Sequence, residues 1–150
     1  MQRREILKLY FILFALFFLV TGCIEKSEKY PDNPETVLQA YFNSLYEENY
    51  DQVVNYYGGT YELLQGYNPQ IDSNDHAALF KAYIEINGGQ LVKIDSIIKN
   101  KEIRMNEEYS FELTFIDKEG NSFREGMVYM YSVNKIDGQY KVMELPPYLA

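Results

Sequence analysis

The chain has 150 residues, of which 47% are hydrophobic and 24% charged, so it has room for one domain with a buried core. Its formal charge of −8 argues against nucleic-acid binding and against adhesion to an anionic lipid surface, because both depend on clustered Lys and Arg. The single cysteine, Cys23, excludes an intramolecular disulfide and a cysteine-based zinc site.

The N-terminal segment has the order of an export signal. Residues 1–8 are basic, and residues 9–20 form an unbroken apolar run. A run of about 7–15 apolar residues suits a signal peptide, whereas a membrane-spanning helix needs about 20. We therefore expect residues 1–22 to be a signal peptide. They hold three basic side chains and one acid, so the remainder of the chain has a formal charge of −10.

The apolar run ends in Val20-Thr21-Gly22-Cys23. This segment resembles the lipobox of bacterial lipoproteins, in which an aliphatic residue, a small residue and Gly or Ala precede a lipid-modified Cys. The resemblance implies transfer of a diacylglyceryl group to the sulfur of Cys23 and cleavage between Gly22 and Cys23. It implies a protein anchored in the cell membrane by acyl chains such as palmitate and facing outside the cytoplasm. Residues 23–33 are polar and indicate a tether, and residues 34–150 indicate the domain.

Two helices are predicted at the start of the domain. Asn33-Pro34-Glu35 is a helix start, with Asn as the N-cap, and apolar residues then recur at helical spacing as far as Leu45. The acids Glu47-Glu48 close this helix. Asn49 offers a second cap, and we expect Gly58-Gly59 to end the short helix that follows.

A third helix is predicted after a stretch without regular structure. Residues 61–64 indicate an irregular turn and residues 66–74 a loop. Ser73 or Asn74 is the expected cap of the third helix, and Asn87-Gly88-Gly89 is its expected end.

Downstream the apolar period changes from about 3.6 to 2, which predicts strands. The expected strands are residues 91–99, 108–117, 122–134 and 139–145. Residues 118–121 and Asp137-Gly138 are predicted hairpin turns that join successive strands antiparallel. Helices followed by an antiparallel meander predict an α+β domain, in which the sheet curls over the first helix.

This order resembles that of the NTF2-like (cystatin-like) superfamily, which includes domains of small lipoproteins of unknown function. The resemblance lies in the amphipathic opening helix PETVLQAYFNSLYEENY, a second helix at YDQVVNYY, and a bent meander ending in a strand such as GQYKVMEL. It implies a cone in which a curved antiparallel sheet and the helices enclose a pocket.

Few residues point to chemistry. His76 is the only histidine, and we expect a solvated residue in the first turn of the third helix rather than a metal ligand or a triad member. The acid pairs Glu47-Glu48 and Glu107-Glu108 are interpreted as helix-end and hairpin-edge charges. Gly58-Gly59 and Gly88-Gly89 each follow a helix, so they do not indicate phosphate loops. No metal or cofactor is expected.

Some NTF2-like enzymes place an acid and a tyrosine hydroxyl in the cone. The strands of this chain offer tyrosines that could face a ligand and acids that could act as bases, without matching an enzyme motif. The tyrosines are Tyr109, Tyr129 and Tyr131, and the acids are Asp95, Glu112 and Glu125. We therefore expect an extracytoplasmic binding or interaction domain without catalysis, whose partner is an envelope protein or a small ligand. The alternative is a small isomerase, dehydratase or hydrolase.

Overall fold

The computed structural model describes residues 30–89, 91–100 and 107–148. The chain divides into two units, Met1–Tyr30 and Pro31–Ala150, and the fold of the second is given below. The expected signal peptide, with Gly22 and Cys23, lies outside the described residues. No helix among the described residues has both the length and the apolar character needed to cross a membrane.

Four helices occupy the first part of the described domain. They are α1 (Pro34–Tyr46), α2 (Tyr50–Tyr56), α3 (Glu62–Tyr67) and α4 (His76–Ile86). The predicted start of α1 is confirmed, because Oδ1 of Asn33 accepts hydrogen bonds from the backbone N–H groups of Glu35 at 2.9 Å and Thr36 at 3.3 Å. Asn49 caps α2 in the same way, through the N–H of Gln52.

The start of α4 lies later than predicted. Its N-cap is Asp75, whose carboxylate accepts from the N–H of Ala78 at 3.0 Å. The predicted cap Asn74 is engaged elsewhere, because its backbone and side-chain N–H groups both donate to Asp72. The predicted irregular turn at 61–64 is also wrong, since helix α3 forms there and buries Leu64 completely.

The two glycine pairs have different structural roles. Gly88 and Gly89 end α4 as predicted: both have a positive φ, and the N–H of Gly89 donates to the carbonyl of Ile84 at 2.9 Å, as in a Schellman motif. The prediction that Gly58-Gly59 ends α2 by a left-handed cap is wrong. Neither has a positive φ, and the N–H of Gly58 donates to the carbonyl of Val142 at 2.8 Å, in the last strand.

The sheet of the described residues has four antiparallel strands in sequence order, and it curls strongly into a half-barrel. The strands are β1 (Lys93–Lys99), β2 (Glu108–Ile116), β3 (Tyr129–Ile136) and β4 (Gln139–Val142). This arrangement confirms the α+β class. The third strand begins later than predicted, because Arg124 and Gly126 take left-handed conformations that interrupt a ladder. The fourth strand ends at Val142, three residues before its predicted end.

Helix α1 packs on the inner face of this sheet. The apolar face of the helix is at most 1% exposed and consists of Val37, Leu38, Tyr41, Phe42 and Leu45. The Phe42 ring lies 4.7 Å from that of Phe115 on β2 and 5.1 Å from that of Tyr131 on β3, measured between ring centroids. Side chains therefore fill the middle of the curl at α1, and the clefts described below lie at its margins.

Candidate functional site

A cleft of about 250 Å³ opens where strand β3 begins. Its lining consists of Leu63, Tyr83, Tyr129, Met130, Tyr131 and residues 144–147. Leu63 and Met130 are 44% and 52% exposed, so apolar groups stand at its rim, whereas the tyrosines form its inner wall. The cleft thus combines aromatic walls, an apolar rim and one carboxylate, that of Glu144.

Three tyrosine hydroxyls hold the chain that follows β4. They donate to three successive backbone carbonyls: Tyr41 to Glu144 at 3.3 Å, Tyr131 to Leu145 at 2.9 Å, and Tyr83 to Pro146 at 3.1 Å. We call these three residues the tyrosine clamp. Each comes from a different element, namely α1, β3 and α4. Burial raises the pKa of Tyr41 and of Tyr131 well above the usual value, so both stay protonated donors.

The clamp is needed because the sheet ends at this point. Pro146-Pro147 has no backbone N–H to donate to a ladder, and β4 stops at Val142. The carbonyls of residues 144–146 would otherwise lie in a largely buried place without strand partners. Side-chain hydroxyls from the helices and from β3 supply the donors instead.

Glu144 takes the place of a backbone partner for β3. Its Oε2 accepts a hydrogen bond of 2.6 Å from the N–H of Ser132, while the N–H of Met143 donates to the carbonyl of Ser132 at 3.0 Å. Burial raises the pKa of the Glu144 carboxyl, and the nearby charge of Glu108 adds to this, whereas the bonds from Ser132 act in the opposite direction. No Lys or Arg of the described residues forms an ion pair with Glu144.

Tyr129 presents an unused polar atom at the same cleft. Its hydroxyl is buried and has no hydrogen-bond partner among the described residues. Its ring lies 5.5 Å from that of Phe115 and 6.4 Å from that of Phe123. An unsatisfied buried hydroxyl of this kind costs about 1–3 kcal/mol of stability.

The structure brings together two of the three predicted ligand-facing tyrosines. Tyr129 and Tyr131 line the cleft, but Tyr109 lies near the other end of the sheet. There its ring is 5.6 Å from that of Tyr140, and Nζ of Lys99 lies 4.7 Å from its centroid. The hydrogen bond between the two tyrosines raises the pKa of Tyr140 to about 12.

None of the three predicted acids lines the cleft. Asp95 is exposed at the edge of β1 and accepts a hydrogen bond from the Thr114 hydroxyl at 3.2 Å, Glu112 lies on the outer face of β2, and Glu125 is exposed in the loop before β3. The acid in the cleft is Glu144, which is not among the predicted acids. No local pattern indicates it, because β4 ends at Val142 and Glu144 lies beyond the alternation of that strand.

His76 lies at the start of α4 but is not simply solvated. It is half-buried, and its ring stacks on that of Tyr61 with centroids 3.6 Å apart and planes 6° from parallel. The described residues contain no group of three or more His, Cys, Asp or Glu side chains that could hold a metal ion. Glu47 is the C-cap of α1, and Glu107 pairs with Lys135 at 2.9 Å beside β2.

A second cleft of about 300 Å³ lies between α1 and the edge strand β1. Gln39, Asn43, Lys93 and Asp95 make much of its lining polar. The strand has a lysine at each end and a register irregularity between Ile94 and Ser96, features that discourage pairing with a further strand. This edge is therefore built to stay unpaired.

Both clefts are lined by residues of this one chain. Comparison with protein families, with curated proteins and with solved structures found no match.

Proposed function

We propose that the protein is a lipoprotein, anchored to the outer side of the cell membrane by lipid on Cys23, and that its domain binds a ligand without catalysis. The proposal includes an NTF2-like identity for the domain. The anchoring rests on the apolar run of residues 9–20 and on the motif Val20-Thr21-Gly22-Cys23. The NTF2-like identity is supported by the order of the elements, with helices first and a strongly curled antiparallel sheet after them.

The observation that carries the binding function is the tyrosine clamp beside the cleft. The hydroxyls of Tyr83 and Tyr131 are committed to backbone carbonyls, and Glu144 Oε2 is committed to the N–H of Ser132. These bonds make the cleft preformed, which favours binding because little order has to be imposed on the protein. They also engage the hydroxyls of Tyr83 and Tyr131, which are then not free to act as general acids.

The anchoring is tested by metabolic labelling with radioactive palmitate and by fractionation of cells into membrane and soluble parts. We expect label and membrane retention for the wild type, and neither for Cys23→Ala or Cys23→Ser. Circular dichroism of the Cys23→Ala protein is the control, and its domain should melt at the wild-type temperature. Equal labelling of all three proteins would contradict the anchor.

The binding function is tested by a fragment screen against the full-length protein, followed by thermal melting. A cleft ligand should raise the melting temperature of the wild type and not that of Met130→Lys, which extends a longer, charged side chain at the rim. Ile98→Lys is the matched control, because Ile98 is a similarly exposed apolar residue on β1. Hits that stabilise all three proteins equally would contradict a ligand site at the cleft.

One observation favours the second candidate, a small isomerase, dehydratase or hydrolase. Glu144, with its raised pKa, lines the same cleft as the unpartnered Tyr129 hydroxyl, and an acid with a tyrosine donor is the pair such an enzyme uses. If a screen hit is turned over, the rate should fall at least 100-fold in Glu144→Gln. Stoichiometric binding with no product in the wild type would favour the non-catalytic function.

A further inference from the structure

We propose that the cleft binds an organic cation, whose ammonium group lies against Glu144 and the ring of Tyr129 and whose small apolar body lies at the rim. The inference rests on the proposed function as a binding domain and names the chemical class of its ligand. It uses only residues that line the cleft.

The first support is an uncompensated negative charge. The Glu144 side chain is partly buried, and the donors it meets are neutral: the Ser132 N–H at 2.6 Å, the Ser132 side chain and its own backbone. No ion pair balances it within the described residues, and the charge of Glu108 is near enough to act on it. A partly desolvated carboxylate of this kind is costly, and a bound cation relieves the cost.

The second support is the aromatic wall. Tyr129 is the partly exposed tyrosine of the lining and supplies most of its aromatic surface, whereas Tyr83 and Tyr131 are each 2% exposed. The face of a tyrosine ring attracts an ammonium group within about 6 Å of its centroid, by about 0.5–2 kcal/mol depending on desolvation.

The third support is the apolar rim. Leu63 and Met130 are exposed beside the aromatic wall, and Pro146 and Pro147 complete a surface that suits hydrocarbon. A volume of about 250 Å³ lies below the range of about 300–1,000 Å³ typical of drug-sized pockets, which limits the ligand to a small body. A carboxylate ligand is disfavoured, because it would meet Glu144 and a chain of formal charge −8.

The test uses Met130 as a reporter within the cleft. The mature lipidated protein, which begins at Cys23, is labelled with methyl-¹³C-methionine in detergent micelles. Its four methionine methyl groups, those of Met105, Met127, Met130 and Met143, are observed by NMR. The Met130 signal is assigned by its loss in Met130→Leu. Three probes of similar shape are titrated: benzyltrimethylammonium, the neutral benzyl alcohol, and the anionic benzoate.

We expect benzyltrimethylammonium to shift the Met130 signal with an affinity at least tenfold above that of benzyl alcohol, and benzoate to have no effect. The preference should disappear in Glu144→Gln, which keeps the side-chain shape and an acceptor for Ser132. It should persist in Glu119→Gln, which removes the same charge from the exposed turn after β2.

Three results would overturn the inference: equal affinities for the cation and the alcohol, an unchanged preference in Glu144→Gln, or no shift with any probe. The same samples are assayed for bound palmitate and melted with the hits of the fragment screen. A lipidated protein whose cleft binds neutral hits alone would therefore refute the cation site and leave the proposed function standing.

Discussion

Tyr41, Tyr83 and Tyr131 illustrate what a hydroxyl adds to a side chain that is otherwise part of the core. Each is at most 2% exposed, so each ring contributes apolar burial as phenylalanine would. Each hydroxyl also satisfies a carbonyl in residues 144–146, which strand β4 leaves without ladder partners. Three of the 15 tyrosines of the chain thus have a structural role beyond packing.

Replacement of Tyr131 by Phe tests this role. We expect the free energy of unfolding to fall by about 1–3 kcal/mol, because the carbonyl of Leu145 loses its donor while the ring is retained. Urea unfolding followed by circular dichroism measures the change. Tyr67→Phe is the control, since Tyr67 is 54% exposed and its loss should cost less than about 0.5 kcal/mol. Equal losses in the two variants would show that the hydroxyl contributes nothing specific.

The Glu144 carboxyl predicts a pH dependence of stability. Its pKa in the folded protein is raised, mainly by burial, so the folded state holds its proton more tightly than the unfolded chain does. The stabilisation is complete below the unfolded pKa and is lost as the pH rises through the folded pKa. The charge of Glu108 adds to this rise in pKa, whereas the hydrogen bonds from Ser132 oppose it.

We therefore expect wild type to lose stability relative to Glu144→Gln as the pH rises from about 4 to neutral. Unfolding free energies of both proteins, measured across this range, check the sign. In the Glu119→Gln protein, which is altered at an exposed turn, the free energy of unfolding should change with pH as it does in wild type. If the free energy of unfolding of wild type instead rose relative to that of Glu144→Gln as the pH increases, the raised pKa would be contradicted.

At the scale of the elements, the junction between α2 and β4 depends on the absence of a side chain. The N–H of Gly58 donates to the carbonyl of Val142, and Tyr57 forms a parallel bridge with the same residue. A Cβ built on Gly58 would lie 2.6 Å from Cβ of Lys141 and 2.9 Å from Cδ1 of Ile136. The glycine is required by close approach rather than by backbone conformation.

Gly58→Ala should therefore destabilise the domain by about 1–3 kcal/mol, as overpacking does. Gly66→Ala supplies the opposite case, because Gly66 lies within α3 and a Cβ there meets nothing within 4 Å. That change should stabilise by up to about 1 kcal/mol through helix propensity. Thermal unfolding of both variants distinguishes the two effects, and a Gly58→Ala protein as stable as wild type would refute the close approach.

At the scale of the whole molecule, the buried tyrosines predict a cooperative response to alkali. Burial raises the pKa of Tyr41 and of Tyr131 in the fold, whereas in the unfolded chain both ionise near pH 10. Their stabilisation is complete below pH 10. Above it, the free energy of unfolding should fall by about 1.4 kcal/mol per pH unit for each such tyrosine.

Tyrosinate absorbance and circular dichroism, followed together during a titration above pH 10, check this expectation. Tyr41 and Tyr131, whose pKa is raised by burial, should ionise only as the fold is lost. Ionisation of every tyrosine in one phase, with the circular dichroism unchanged, would contradict the burial of the clamp.

Local signals were enough to predict many of the elements. The Asn33 cap, the Schellman end at Gly88-Gly89 and the Asp137-Gly138 turn each depend on a few neighbouring residues, and the structure confirms all three. Period-2 alternation likewise predicted β2 to within one residue. The lipid anchor at Cys23 is also a purely local inference, and it stays a prediction.

Contacts between distant residues decided the rest. Gly58 follows a helix, which suggests a cap, but its neighbour Val142 is 84 positions away and decides its role. Tyr109, Tyr129 and Tyr131 share one face of the sheet. The antiparallel register separates Tyr109 from Tyr129, because it places Tyr109 opposite Val133 and Tyr129 opposite Leu113, near the other end of the ladder.

The sequence by itself determined the α+β class, the start of α1 and the inward face of β2, because capping and apolar periodicity are properties of adjacent residues. Only the tertiary structure decided the cleft. The tyrosine clamp joins α1, α4 and β3 to residues 144–146, and Glu144 reaches its position because β4 ends early and leaves the N–H of Ser132 to a side chain. Such a site depends on pairing over long sequence separations, which no local pattern encodes.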